Sequence, residues 1–430
     1  MPSETDLRIW REALPFLCRR SFPDRRELDD FHDWRLRELV AHAFETVPFL
    51  RKRWEASGVD PSQIRGRQDL ERLPLLRKTD YQQAGSRSLS LAAPGSLVRR
   101  RTSGSTGRPF VVTCSLAEDR LLSLLRWRNY GRLGVRWYFR VATLRPPRVI
   151  RLVPRILRFG ARLPLVSIRY VDVTRELEDL AATLSRLQPH VIMGFPTLLN
   201  EIGALLPEYP MHPRLIVVGG EKVLVAVRRS LSSRFGCPVR EVYGCHEFGA
   251  VAWECPETGL LHLSEEVVLP EVLREDGSPA QCGERGELVG TALHSFTQPF
   301  VRYRLEDEVT VGPTPCPCGA PYRTLVVVEG RQIERLLTAS GRSISGAGLL
   351  EDIGERFSWV RQYQLVQESL EAVTLRFVAQ VPPSRDQIAE LEGFLDAALG
   401  RWFRTRAVAV TEISRDSEGK YRLVAVLPRR

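Results

Sequence analysis

The sequence predicts an α/β fold class: a large N-terminal α/β unit with a β subdomain, followed by a small α+β C-terminal domain. Three observations predict it. Strand and helix patterns alternate from Leu97 onward. β-type residues with Pro/Gly punctuation occupy Gly286 to Val311. The last hundred residues then change to a strand pair, a helix and two more strands. At 430 residues the chain exceeds the size at which one hydrophobic core keeps growing, so two or three packing units are expected. The boundary is placed near Gly330-Arg331, giving residues 1–330 and 331–430.

Taken in order, residues 5 to 60 read as helices with Arg/Glu faces, for example Leu28 to Phe44. Val111-Val112-Thr113 reads as a strand and Leu121 to Tyr130 as the helix after it. His190 to Met193 is a short strand, Pro196 to Leu205 a helix, Leu215 to Val218 an apolar strand, Val223 to Phe235 a helix and Val239 to Tyr243 a strand. This is the rhythm of a partly parallel sheet with helical crossovers. In the C-terminal part, Tyr363 to Val366 and Ala372 to Val381 form the strand pair. Ser384-x-x-Gln387 is a capping box before a helix with apolar residues at Ile388, Leu391, Leu395 and Leu399. Ala407 to Ile413 and Tyr421 to Leu427 close the module as strands.

Charge and cysteine usage narrow the function classes. The net charge is +10, and of 62 basic residues only Lys52, Lys78, Lys222 and Lys420 are lysines, so a lysine inside a motif carries extra weight. A basic chain suits polyanionic partners: a nucleotide, an acidic protein, nucleic acid or anionic lipid. Acidic residues spread through the chain argue against the single basic stripe of a nucleic-acid-binding protein. No stretch of about 18 uncharged apolar residues occurs, so no transmembrane span is expected. Charges interrupt the first 20 residues before a signal-peptide core develops, so a cytoplasmic location with reduced thiols is expected. Arg148 to Arg162 interleaves arginines with apolar residues. Pro154 and Gly160 break it, which favours a solvated or protein-docking face over a membrane-surface helix.

Several segments carry chemistry. In Thr102-Ser103-Gly104-Ser105-Thr106-Gly107-Arg108-Pro109, the glycines let the backbone approach a ligand, and successive N–H groups and hydroxyls can wrap phosphate oxygens. No Gly-Lys-Ser/Thr follows, so it is not the P-loop pattern. Gly219-Gly220-Glu221 follows an apolar strand, where a Gly-Gly by itself is usually a turn. Tyr243-Gly244-Cys245-His246-Glu247 offers a carboxylate of the kind that holds a hard cation together with phosphate oxygens. Arg302-Tyr303-Arg304-Leu305-Glu306-Asp307 ends on an acceptor-only carboxylate. Gly330-Arg331-Gln332-Ile333-Glu334 marks the domain junction, and Glu418-Gly419-Lys420-Tyr421-Arg422 places one of the four lysines near the end of the chain. Cys255, His262, Cys316 and Cys318 form a Cys-x6-His and a Cys-x-Cys pair in Pro/Gly-rich turns, four nitrogen or sulfur ligands suited to tetrahedral Zn²⁺. Cys18, Cys114, Cys237, Cys245 and Cys282 read as packing or loop cysteines.

In this order, from Thr102 to Lys420, the segments resemble the adenylate-forming superfamily, in the branch of phenylacetate–coenzyme A ligase and its capsule-biosynthesis relatives. The resemblance implies an adenylation domain over residues 1–330 and a mobile domain over 331–430. It implies activation of a small carboxylic acid by ATP and Mg²⁺ as an acyl-adenylate, then transfer to a thiol. Coenzyme A is the first choice of acceptor, with an amine or carrier protein as the alternative. It further implies that Thr102 to Gly107 cradle the phosphates and that Gly220 and Glu221 lie beside the acyl and adenine pockets. Tyr243 would pack on adenine next to Gly244, Glu247 would hold Mg²⁺, and Asp307 would accept from the ribose hydroxyls. Arg331 would contact the nucleotide at the hinge, and Lys420 would neutralise the adenylation transition state. The sequence departs from the pattern at His246, where a hydroxyl that contacts the α-phosphate is expected, at Glu306, where a glycine is usual, and at Ile333-Glu334 in the hinge. Members of this branch carry a similar Cys/His set, which would staple the β subdomain around residues 255–318 with a structural zinc. The acyl pocket would draw on Met193-Gly194-Phe195-Pro196. A homodimer is one option for assembly.

Overall fold

The computed structural model describes residues 22–101, 110–146, 167–331, 335–379, 381–415 and 420–426. The Thr102–Pro109 segment, the whole 148–162 stretch, Gln332 to Glu334, Glu418-Gly419 and Cys18 lie outside these residues. In chain order the elements are α1 (Arg25–Thr46), α2 (Pro48–Ala56), α3 (Lys78–Ala84), β1 (Leu97–Arg101), β2 (Val111–Ser115) and α4 (Leu116–Arg132). Next come β3 (Arg140–Arg145), β4 (Ser167–Asp172), α5 (Leu177–Leu187), β5 (Val191–Gly194), α6 (Pro196–Ala204), β6 (Leu215–Gly219), α7 (Val225–Phe235) and β7 (Val239–Cys245). The β-rich stretch follows as β8 (Gly249–Glu254), β9 (Leu261–Leu263), β10 (Val268–Leu273), β11 (Arg285–Ala292), β12 (Tyr303–Val311) and β13 (Thr324–Arg331). The chain closes with β14 (Arg335–Leu337), β15 (Ser343–Ser345), α8 (Ala347–Arg356), β16 (Val360–Ser369), β17 (Ala372–Ala379), α9 (Arg385–Leu399), β18 (Arg404–Ala409) and β19 (Val424–Ala425). The α/β class expected from the sequence is the one observed. Among the described residues, no helix is long and apolar enough to cross a membrane.

The chain divides into two compact units, Met1–Gly134 with Val242–Glu329, and Val135–Glu241 with Gly330–Arg430. In the first unit, β10-β11-β12-β13-β9-β8-β7 are neighbours in that order, with antiparallel registers such as Gly290↔Tyr303 and Trp253↔His262. Helix α4 packs on β8 and starts with a capping box of its own, Ser115 and Glu118. The Glu118 carboxylate is buried and does further service, accepting the N–H groups of Phe296 and Thr297 at 2.6 and 2.8 Å.

In the second unit, β6-β5-β3-β4 pair in parallel, and α5, α6 and α7 supply the crossovers, as the alternating pattern implied. Short apolar runs such as Leu215–Val218 are buried completely because both sheet faces are covered. Residues 336–424 enclose a core of their own, including Leu336, Leu350, Phe357, Leu375, Phe377, Leu391 and Leu395. Both capping-box bonds at Ser384 and Gln387 are present, at 2.9 and 3.2 Å. Two details of the sequence reading change here. The module gains α8 before its strand pair, the strand expected at 407–413 lies earlier as β18, and the one expected at 421–427 shortens to the two-residue β19. Helix α8 packs on α7, with the Val225 N–H donating to Glu351 at 2.7 Å. That contact satisfies the first N–H of α7 and ties α8 to it, while Leu349, Leu350 and Ile353 bury the apolar face of α8.

Candidate functional site

Three clusters of chemistry-bearing side chains emerge. The first lies at the end of β7 and on β12. Tyr243 leaves β7 with its hydroxyl donating to Asp307 Oδ2, and Glu247, in the turn after the strand, accepts from the Tyr303 hydroxyl at 3.0 Å. Glu247 and Asp307 are both buried, at 9% and 6% exposure. Gly244 is required by close approach: a Cβ there would run into the Gly249 carbonyl across the β7–β8 turn. His246 is half-buried in the same turn.

Asp307 owes its direction to a bulge in β12. Pairing with β11 steps from Glu287↔Glu308 to Val289↔Arg304, so residues 305–307 are looped against the single Leu288. Glu306 sits in this bulge at φ 63°, the left-handed region that favours glycine. The glycine-to-glutamate departure in the sequence therefore leaves the backbone geometry in place, at a cost of about 1 kcal/mol. Arg302, also at positive φ, is anchored by Glu271 at 2.8 and 3.1 Å and by the carbonyls of Glu71 and Leu73. Arg304 pairs with Glu287. The two arginines flanking Tyr303 thus hold the strand, and Tyr303 reaches the Glu247 carboxylate.

The second cluster gathers Gly220, Glu221 and Lys420, within the second unit. Gly220 follows β6 at φ 84°, and a Cβ there would meet the Phe195 ring at 2.9 Å and Lys420 Cε at 3.7 Å. The Lys420 ammonium lies 5.8 Å from the centre of the Phe195 ring. Glu221 accepts the Thr197 hydroxyl at 2.6 Å on one oxygen and the Tyr421 N–H at 2.8 Å on the other. Burial lifts its carboxyl to about 7, against the opposing pull of Thr197, the Tyr421 N–H and Lys420. Arg331 is the last residue of β13, just past the division between the two units after Glu329.

The third cluster is metal-like. Cys255 follows β8, His262 is the centre of β9, and Cys316 and Cys318 lie in the turn between β12 and β13. The register places His262 between Trp253 of β8 and Thr324 of β13, which carries the Cys-x-Cys turn to the Cys-x6-His turn. All four donor atoms lie within 4.8 Å of one another. His262 Nε2 is 3.4 Å from Cys318 Sγ, while its Nδ1 is buried without a hydrogen-bond partner. Burial, then Arg132, lower the imidazole to about 4, so it is neutral as a ligand must be. Gly259 and Gly319, at φ 75° and 81°, turn the two ligand loops. Three thiols and the His262 imidazole, whose Nε2 faces Cys318, fit a tetrahedral zinc set. The other described cysteines, Cys114, Cys237, Cys245 and Cys282, are free and stand apart from this set.

The sequence reading missed Tyr303, Thr197 and Tyr421, each of which holds a flagged residue. Position was the available signal: Tyr303 lies between the two arginines, Tyr421 follows the motif lysine, and Thr197 is next to the helix-starting Pro196.

No protein-family model matches the chain. It is 26% identical to the phenylacetate–coenzyme A ligase of Thermus thermophilus over 392 residues, covering 87% of this chain and 81% of that one. The Escherichia coli phenylacetate–coenzyme A ligase is 28% identical over 357 residues, 79% of each chain. Among solved structures, 2-hydroxyisobutyryl-CoA ligase in its postadenylation state superposes with a TM-score of 0.80 at 19% identity, covering 96% of this chain and 92% of that one. The chain is therefore a homologue of the phenylacetate–coenzyme A ligases, built on the adenylate-forming CoA-ligase fold.

Proposed function

We propose that the chain is an ATP-dependent acid–thiol ligase that activates a small carboxylic acid as its acyl-adenylate and passes the acyl group to coenzyme A. The observation that carries this reading is the placement of Lys420. One of four lysines in the chain, it is set against Gly220 and Glu221 at the end of a parallel strand. In the first half-reaction, a carboxylate oxygen of the acid attacks the α-phosphorus and pyrophosphate leaves. In the second, the thiolate attacks the acyl carbon and AMP leaves. Lys420 supplies a preorganised cation for charge that develops at the α-phosphate. Asp307 accepts from the ribose hydroxyls, Tyr243 packs on adenine beside Gly244, and Thr102, Ser103, Gly104, Ser105, Thr106 and Gly107 wrap the phosphates. Glu247 would hold Mg²⁺, which when bound neutralises phosphate charge. Tyr303 keeps that carboxylate oriented. His246 takes the place of the expected hydroxyl and donates to the α-phosphate, and Arg331 contacts the nucleotide at the hinge.

Residues 331–430 act as the mobile domain that carries Lys420, a reading supported by their separate core. Cys255, His262, Cys316 and Cys318 would hold a structural zinc, since four protein donors leave no coordination position for a substrate. Dependence on ATP and a thiol acceptor favours a cytoplasmic location. The test is acid-dependent exchange of labelled pyrophosphate into ATP across aryl, fatty and amino acids, followed by discharge of the adenylate to coenzyme A, an amine or a carrier protein. Folded, ATP-binding protein that shows no exchange with any acid would refute the reading. Discharge to an amine or carrier protein alone would move the acceptor away from coenzyme A.

A further inference from the structure

Helix α6 begins at Pro196, so Thr197 and Glu201, four residues apart, share one face. The chain around Lys420 is fastened to that face. The Tyr421 hydroxyl donates to Glu201 Oε2 at 2.8 Å, and Arg415 reaches the same oxygen at 3.3 Å and the Val173 carbonyl at 3.2 Å. Glu201 is only 7% exposed. Glu221 makes the decisive contact, because its two oxygens go to two different parts of the chain. Oε2 accepts the Thr197 hydroxyl at 2.6 Å and faces the Thr197 N–H at 3.4 Å, while Oε1 accepts the backbone N–H of Tyr421 at 2.8 Å.

We infer that Glu221 is a positioning residue, a latch that pins the backbone beside Lys420 to the start of α6 during adenylation and lets go for thioester formation. The inference rests on the reading of Lys420 as the adenylation lysine. It departs from the role that the family resemblance implies for Glu221, that of a neighbour of the acyl and adenine pockets. A lysine stem has four rotatable bonds, so an ammonium is aimed only when its backbone is fixed and its stem is packed. The Tyr421 N–H bond does the first, and Phe195 with Gly220 does the second. A carboxylate accepting an N–H is a strong hydrogen bond, yet a single one, which suits a contact that must form and break each turnover. Burial disfavours the charged carboxylate, and the Thr197 hydroxyl, the Tyr421 N–H and the Lys420 charge each offset part of that cost, so the charged form favours the state in which Lys420 is present.

The test uses the full chain and two readouts. A lysine-specific endopeptidase can cut only after Lys52, Lys78, Lys222 and Lys420, so release of residues 421–430 reports loosening of this segment. Glu221→Gln should speed that cut about ten-fold over wild type. It should slow acid-dependent pyrophosphate exchange by about 10- to 100-fold through kcat, at unchanged KM for ATP. Thioester formation from a synthetic acyl-adenylate and coenzyme A should stay within about two-fold, because the latch is then open. Thr197→Val, which removes the clamp on Glu221 and keeps both charges, should give the same pattern at smaller size and serves if Glu221→Gln does not fold. An unchanged cut at Lys420, a loss expressed in the KM for ATP, or equal loss of both half-reactions would overturn the inference. If wild type shows no exchange with any acid, the ligase reading fails, and the proteolysis result alone still decides whether the latch exists.

Discussion

The Tyr243–Glu247–Asp307 corner and the Lys420–Glu221 corner are assembled from similar residues but held by different means. In the first, each functional side chain is aimed by the sheet: by the β7–β8 turn at Gly244, by the β12 bulge at Glu306, and by two tyrosine hydroxyls that cross between strands. In the second, Lys420 lies outside any described helix or strand, and side-chain acceptors on α6 and at Glu221 secure its surroundings. Backbone ladders release only when a sheet opens, whereas a few side-chain hydrogen bonds can exchange individually. The difference is in keeping with the proposed roles, a fixed nucleotide site and a lysine that moves.

The largest expected effect tests the movable side. Lys420→Ala should lower acid-dependent pyrophosphate exchange by about 10²–10³, by analogy with loss of an oxyanion-hole donor. It should leave transfer from a synthetic acyl-adenylate nearly intact, and equal loss of both steps in folded protein would erase the contrast between the corners. On the fixed side, Asp307→Ala and Glu247→Gln should each slow adenylation by about 10- to 100-fold, with Asp307→Ala raising the KM for ATP. Wild-type rates in either variant would show that these two carboxylates serve packing alone.

The metal-like cluster extends the same contrast, since it ties loops of the β-rich unit to one another. Metal analysis of protein prepared without chelator should find about one zinc per chain, and Cys316→Ser with Cys318→Ser should lose it. The loss should lower Tm by roughly 5–10 °C, several kcal/mol at this size. Zinc-free wild-type protein would rule the site out.

The smallest effect is a difference in sign. In the first unit, burial lowers His32 to about 4 and His294 to about 3, so both stay neutral in the fold while the unfolded chain takes up protons below about 6.5. Their contribution to stability is complete above about 6.5 and is lost as pH falls toward 4. In the second unit, burial raises Glu221 to about 7 and raises Glu201 above the usual carboxylate range. The folded state there takes up a proton first, so acidification from pH 7 toward 4.5 adds stability. Hydrogen exchange at pH 7 and 5 should therefore show protection falling in the helices and strands around His32 and His294 and holding or rising around α6. Parallel loss in both regions would remove this distinction.

Much of the local structure was legible because its signals are short-range. Ser384 and Gln387 make both capping-box bonds, Pro196 starts its helix, and Leu215–Val218 is a buried parallel strand. Helix α8 was missed although Leu349, Leu350 and Ile353 follow helical spacing onto a buried face, because no side-chain cap marks its start. Glu306 shows the opposite case. The residue type argued against a left-handed backbone, yet the β11–β12 register demands one, and the strand accommodates it.

By itself, the sequence determined the α/β class, the ordered series of motif residues, the chemistry of the four-donor Cys/His set and the scarcity that singles out Lys420. All of these are properties of residue type and near-neighbour spacing. The tertiary structure alone decided that Tyr303 supports Glu247 from 56 residues away, that Tyr421 binds Glu221 from 200 residues away, and that Cys316 and Cys318 reach His262. The physical reason is that such contacts depend on strand register and on which polar atoms lose water together, and neither is written into spacing along the chain.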